Sequence, residues 1–290
     1  MHEFWSATFN KIFGTPHILA PIRRPVDILD IGCGAGTWVT EVADCLPSCQ
    51  VYGVDISPVM PVFVSDNCNF YIENALAGFS FHDEKFDLVQ SRCIGAGIPD
   101  RYWPRYVHEI YRVTKPGGWI QLIEMDPVRY CDDGSMPPQS PLTECERIIA
   151  AVMKQKYHTT IHGVTHKLAR HAENAGFINI QQHNIKSPLG KWNKGRPMVS
   201  TRMADPLELK TGWRIAKCLA ELLFSARHIL LDGVPNATEA EVDKLLAAAQ
   251  KELLSHRYRA YYKMWAFVTN CANDRTAVYA QRPIARSPSQ

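Results

Sequence analysis

The chain has 290 residues, of which 46% are hydrophobic and 21% charged, with 32 basic against 29 acidic side chains and a formal net charge of +3. That length predicts two domains, or one core with an elaborated cap, and the balanced charge, lacking any long basic run or basic-aromatic tract, argues against a nucleic-acid partner. No run of about 18 apolar residues occurs, and the first residues lack a basic region followed by an apolar one, so neither a membrane span nor a secretory leader is expected.

In chain order, the first strong signal is the apolar run Val26–Ile31, which leads into Gly32-Cys-Gly-Ala-Gly36 and then a helix. Small residues at such a strand-turn-helix junction let main chain approach a ligand closely. A second strand over Val51–Ile56 carries Asp55 near its end, a carboxylate placed for the two hydroxyls of a ribose. The pattern predicts a nucleoside cofactor. Its spacing is G-x-G-x-G, with Thr37 where a dinucleotide fingerprint has its third glycine or alanine, so S-adenosylmethionine (SAM) is favoured over NAD.

Further strands are expected at Asn69–Ile72, Phe86–Gln90 and Trp119–Glu124, with a helix over Pro104–Val113 that Lys115-Pro-Gly-Gly118 closes. This strand-helix rhythm predicts an open, doubly wound parallel sheet. Residues 127–141, rich in Pro, Asp, Gly and Ser, are expected as an exposed loop on the ligand side of that sheet. Thr143-Glu-Cys-Glu146 has the form of a capping box opening a helix to about Gln155, and a second helix over His166–Asn174 ends at Gly176. Phe177–Ile180 is a sixth strand, residues 188–206 are irregular, and helices over Leu207–Leu231 and Thr238–His256 follow. Tyr261–Val268 is the last strand, and residues 285–290 a frayed tail. The nine cysteines are odd in number and contain no C-x-x-C pair, which favours free thiols in a reducing, cytoplasmic compartment. Cys45 and Cys49 have no matching histidine pair, so no metal is expected.

Five elements in order, Asp30-Ile-Gly-Cys-Gly-Ala-Gly-Thr-Trp38, Gly53-Val-Asp-Ile-Ser-Pro58, Asn67–Ala75, Phe86–Arg92 and Lys115–Trp119, together with Leu19-Ala-Pro-Ile22, resemble the class I SAM-dependent methyltransferases and, more narrowly, their fungal LaeA-like group. The resemblance runs from about Phe13 to Glu124. It implies an α/β, Rossmann-like methyltransferase sheet with a helical cap, divided as a lid segment (1–25), a SAM-binding core (26–187), a cap (188–257) and a last strand with tail (258–290).

On that resemblance, Gly32, Cys33, Gly34 and Gly36 line the methionine half of SAM, and Asp30 orients the turn or receives the ammonium group. Asp55 binds the ribose, Ile56 packs on adenine, Asn74 replaces the usual aspartate at the adenine amino group, and Ala75 offers its backbone N–H. Ser91 and Arg92 border the cofactor, and Cys93 the acceptor. On the acceptor side, Glu124 and His162 are candidate proton acceptors, and Asp126, His158 and Trp5 candidate contacts. His158, His162 and His166 fall four apart, but Thr159, Thr160 and Gly163 break any helix through them. The function implied is methylation, chiefly O-methylation, of a small, fairly apolar metabolite in fungal secondary metabolism. A LaeA-like regulatory role, or a rearrangement without methyl transfer, are the alternatives, and the partner set leaves room for a homo-oligomer or a protein partner.

Overall fold

The computed structural model describes residues 18–190, 208–255 and 257–273. Short apolar runs of β-branched and aromatic residues become seven strands: β1 (Asp27–Ile31), β2 (Gln50–Asp55), β3 (Cys68–Ile72), β4 (Phe86–Arg92), β5 (Thr114–Cys131), β6 (Phe177–Pro188) and β7 (Ala260–Cys271). They form one sheet in the order β3-β2-β1-β4-β5-β7-β6. The first five are mutually parallel, while β7 runs antiparallel to both β5 and β6. The chain order reverses beside β1, so the carboxyl ends of β1 and β4 frame a crevice at which such sheets bind ligands.

Helices α1 (Thr37–Cys45), α2 (Trp103–Val113) and α4 (Val164–Ala175) cover the sheet on its two faces. Leu29, Ile31 and Val89 pack with α2 and α4, and alternate residues Ile28, Val51 and Leu88 pack with α1. Burial on both faces explains why these strands read as continuous apolar runs. Gly176, at φ 109°, ends α4 as the sequence predicts.

The cap is built from α3 (Pro141–Lys156), α5 (Glu208–Ser225), α6 (Arg227–Gly233) and α7 (Glu239–Leu254). Their apolar faces form a second cluster that includes Ile148, Leu219, Leu223, Leu230 and Leu246 and meets the sheet at Ala260 and Tyr262. α3 thus packs with the cap helices, although it precedes residue 188. The box at Thr238 and Glu241 caps α7 as expected.

Three local expectations are corrected. The cap of α3 is Ser140, whose hydroxyl accepts from Thr143 N–H, with Pro141 in the first turn; Glu146 of the anticipated box is bound instead by Arg129 and Tyr262. Strand β5 continues to Cys131, because antiparallel pairing with β7 carries Tyr130 and Cys131 past a bulge and takes up backbone groups that a loop would leave to water. The single helix expected to run to Leu231 is two, broken between Ser225 and Arg227. Trp5, most of the lid segment and the tail after residue 273 lie outside the described residues. No helix among those described is long and apolar enough to cross a membrane.

Candidate cofactor and acceptor site

The turn after β1 is built by its glycines. Gly32, Gly34 and Gly36 all have positive φ, a backbone region that side-chain-bearing residues avoid. Gly36, at φ 70°, is also sterically required: a Cβ there would lie 2.5 Å from the Phe70 ring. The turn is laced to β2, since Gly32 and Cys33 donate to the Val54 carbonyl at 2.8 and 3.0 Å, and Gly34 N–H donates to Asp55 Oδ2 at 2.8 Å. The other oxygen of Asp55 accepts from Ser57 N–H at 2.9 Å. Each carboxylate oxygen therefore keeps a lone pair, and the group is held rigidly at the strand end.

Beside it, Ile56 is 67% exposed, an apolar side chain presented where a flat ring could cover it. Asn74 is exposed, and its side-chain oxygen accepts from Leu76 N–H at 2.9 Å in a local turn, with half-buried Ala75 following. Asp30 is buried beneath the turn, where desolvation pushes its carboxyl up to about 7; the Arg92 charge and a hydrogen bond from Gln90 act in the opposite sense. Ser91 faces the core, its hydroxyl accepting from Tyr106 O–H at 2.7 Å, so only its main chain is left for a ligand.

A cavity of about 560 Å³ begins at Gly32, Cys33 and Thr37, passes Arg92, Cys93, Gly95 and Glu124, and ends among aliphatic side chains of the cap helices. The far wall includes Ile149 and Met153 of α3, Leu219 and Leu223 of α5, and Ile229 of α6. Glu124 stands between the two ends. Its Oε1 accepts from Ile94 and Gly95 N–H groups, each at 3.0 Å, while Oε2 has no hydrogen bond among the described residues. Burial pushes this carboxyl up to about 8, against those two bonds. Cys93, at φ 53°, also faces the cavity, and desolvation followed by the Glu124 charge raises its thiol to about 12. It is a neutral wall group, not a thiolate nucleophile.

His162 reaches the cavity wall, and its buried Nδ1 has no partner among the described residues. His158 does not: it is exposed in the α3–α4 connection. Asp126 is buried off the wall, with Oδ2 accepting from Tyr130 O–H at 2.8 Å. The sequence reading missed a cluster behind the cavity wall: Glu146 and Tyr262 line it, Arg129 on β5 holds both Glu146 oxygens at 2.9 and 3.0 Å and Glu252 at 3.3 Å, and Tyr262 O–H donates to Glu146 at 2.7 Å. Nothing local in sequence joins these residues.

A methyltransferase-domain model matches residues 28–118, from β1 into β5. Methyltransferase pytC of Aspergillus terreus is 29% identical over 188 residues, covering 64% of this chain and 56% of its own, so this chain spans little more than half of that relative. Secondary metabolism regulator LAE1 of Cochliobolus heterostrophus is 30% identical over 66% of this chain and 62% of its own. Methyltransferase cpsF of Aspergillus campestris aligns nearly end to end, at 26% identity over 88% of this chain and 89% of its own. Among solved structures, Haemonchus contortus phosphoethanolamine N-methyltransferase 2 in complex with S-adenosyl-L-methionine has the same fold with TM-score 0.54 and 17% identity, over 93% of this chain and 56% of that one. A methyltransferase-like protein of Bacillus halodurans does so with TM-score 0.50 and 15% identity, over 88% and 96%. Strand order and glycine turn agree with these likenesses: residues 28–118 match a methyltransferase domain, and the chain is similar to fungal methyltransferases and LaeA-like regulators of secondary metabolism.

Proposed function

We propose that this chain binds SAM at the β1 turn and methylates a hydroxyl group of a small, uncharged, largely apolar metabolite held in the cap cavity. The residues fit that cofactor. Asp55 retains a lone pair on each oxygen for a ribose diol, Ile56 offers an uncovered apolar face beside it, and the turn contains no side chain larger than Cys33. Asp30 would meet the ammonium group, and Asn74 and Ala75 the adenine edge. When bound, SAM supplies an electrophilic methyl group, and one displacement delivers it.

The observation that carries this reading is the continuity of the cavity from the glycine turn, past Glu124, to an aliphatic chamber. An acceptor's apolar body would be desolvated there while its hydroxyl stood at the Glu124 neck. Glu124 would take the hydroxyl proton on Oε2, with its backbone bonds to Ile94 and Gly95 fixing the carboxylate plane. His162, whose buried Nδ1 has no partner among the described residues, is a second wall group able to accept a proton. Among the described residues the cavity wall carries Glu124 and Glu146 against Arg92, so it offers no excess of positive charge to an anionic acceptor.

The setting we propose is fungal secondary metabolism, in a reducing cytoplasmic compartment consistent with nine free cysteines. The test is mass analysis of products after incubation with SAM and a panel of apolar phenols and alcohols. The expected outcome is a gain of one methyl mass with stoichiometric S-adenosylhomocysteine. Conversion without mass gain, or with SAM unconsumed, would overturn the methyl-transfer reading.

A further inference from the structure

Gln90 on β4 and Gln121 on β5 are fully buried in the middle of the sheet, where apolar side chains are the rule. The register sets Asp30, Gln90 and Gln121 side by side across β1, β4 and β5. Their side chains join end to end. The Gln90 amide nitrogen donates to Asp30 Oδ1 at 3.3 Å, the Gln121 amide nitrogen donates to Gln90 Oε1, and Gln121 Oε1 accepts from Leu19 N–H at 2.9 Å.

The direction of this chain is dictated at its outer end. A backbone N–H can only donate, so Leu19 claims the oxygen of Gln121; the Gln121 nitrogen then claims the oxygen of Gln90, and the Gln90 nitrogen is left to face Asp30. Each amide thus presents its donor end toward the carboxylate. Leu19 lies in the segment that enters β1, packed with Ile18 and Ile22 against the α1 side of the sheet. Two buried amides are an expensive way to fill space, because an apolar pair of similar volume would leave no polar atom to satisfy.

We propose that Gln90 and Gln121 are positioning residues that link the seating of the entry segment at Leu19 to the orientation and charge of Asp30, and so to cofactor binding. This rests on the reading that Asp30 receives the cofactor ammonium group. Four groups face Asp30 besides the amide: Arg92 farther along β4, Asp55 at the end of β2, Cys33 in the turn and Tyr106 on α2. Of these only Arg92 carries the opposite charge. Burial holds the Asp30 carboxyl near 7, and the Gln90 donor works against that rise. A Gln90 that loses its orientation can turn its oxygen toward Asp30, which favours the protonated carboxyl and removes the partner of an ammonium group.

The test is calorimetric titration of the full chain with S-adenosylhomocysteine between pH 5.5 and 9. The unaltered chain should lose affinity as pH falls through about 7. Gln121→Met and Leu19→Pro, neither of which touches Asp30, should move that midpoint up by about half to one pH unit and weaken binding at pH 7 by roughly 3- to 10-fold. Gln90→Leu should shift it the same way, and Gln90→Leu combined with Gln121→Met should shift it no further than Gln90→Leu alone. An unmoved midpoint in Gln121→Met and Leu19→Pro, or additive shifts in the double variant, would overturn the link. Leu19→Pro lies outside the sheet interior and keeps the test decisive if a core variant fails to fold. Failure of the unaltered chain to bind overturns the cofactor reading itself and the proposal with it, a result distinct from normal binding with an unmoved midpoint.

Discussion

Asp55 does two jobs with one carboxylate: it clamps the turn at Gly34 and Ser57, and it offers its remaining lone pairs outward. Asp55→Ala should weaken S-adenosylhomocysteine by a few tens-fold, about 2 kcal/mol, when measured calorimetrically. Unchanged affinity would remove Asp55 from the site. Glu124 is expected to act on rate instead. Because its carboxyl sits near 8 and only the ionised form accepts a proton, the methylation rate should rise with pH through about 8 and then level. Glu124→Gln should lower kcat roughly 100-fold and flatten that rise, with cofactor affinity kept. Asp55 was legible from sequence because it ends the short apolar strand β2 that follows the glycine turn, and Glu124 because it follows the apolar run of β5, which continues past it to Cys131. Gln90 with Gln121, and Glu146 with Tyr262, were not, since the partners are 31 and 116 positions apart; sheet register brings the first pair together, and the packing of α3 on β7 the second.

Among the elements, β5 shows where local pattern runs out. Its middle, Trp119 to Glu124, is largely apolar and buried and reads plainly as a strand; its end, Pro127 to Cys131, interrupted by Pro127 and Arg129, was expected as loop. What makes it a strand is β7, more than 100 residues later, which supplies backbone partners and sets Tyr130 on Tyr261 with ring centres 5.6 Å apart. The same extension places Arg129 under α3 and α7, where it binds Glu146, Glu252 and Thr143. Arg129→Met would leave two partly or fully buried carboxylates without their cation. The expected loss is about 3 to 5 kcal/mol in chemical denaturation, with faster amide exchange in α3 and α7 than in β1 and β4. Uniform loosening across the sheet would show that the arginine is not a specific tether of the cap. The start of α3 teaches the same point on a smaller scale: Thr143 and Glu146 satisfy a capping pattern, yet Ser140 followed by proline takes the cap, because proline at the first helical turn gives up an N–H that needs no partner there.

For the whole molecule, the raised carboxyls of the site set a conflict between stability and function. Asp30 moves from 3.8 to about 7 and Glu124 from 4.5 to about 8, both chiefly by desolvation. The folded chain therefore holds protons that the unfolded chain releases between those limits, so stability falls as pH rises from the ordinary carboxylate range toward 8. Asp87, Asp100 and Glu109 act oppositely: hydrogen bonds and cationic partners hold them below their usual values, and their contribution is lost as pH falls into the acid range. The two slopes meet in the ordinary carboxylate range, at about pH 4, where the lowered groups are largely ionised in the folded chain and the raised pair is still protonated. The proposed reaction would ask for the reverse state of that pair, an ionised Asp30 for an ammonium group and an ionised Glu124 for a proton, which the fold alone disfavours. Urea midpoints should accordingly decline between pH 5 and 8.5, and Asp30→Asn combined with Glu124→Gln should flatten that decline while leaving the acid limb in place. An undiminished alkaline decline in the double variant would assign it to other groups. Saturating S-adenosylhomocysteine should restore stability most at the alkaline end, because an ammonium partner favours the ionised Asp30 that folding otherwise resists.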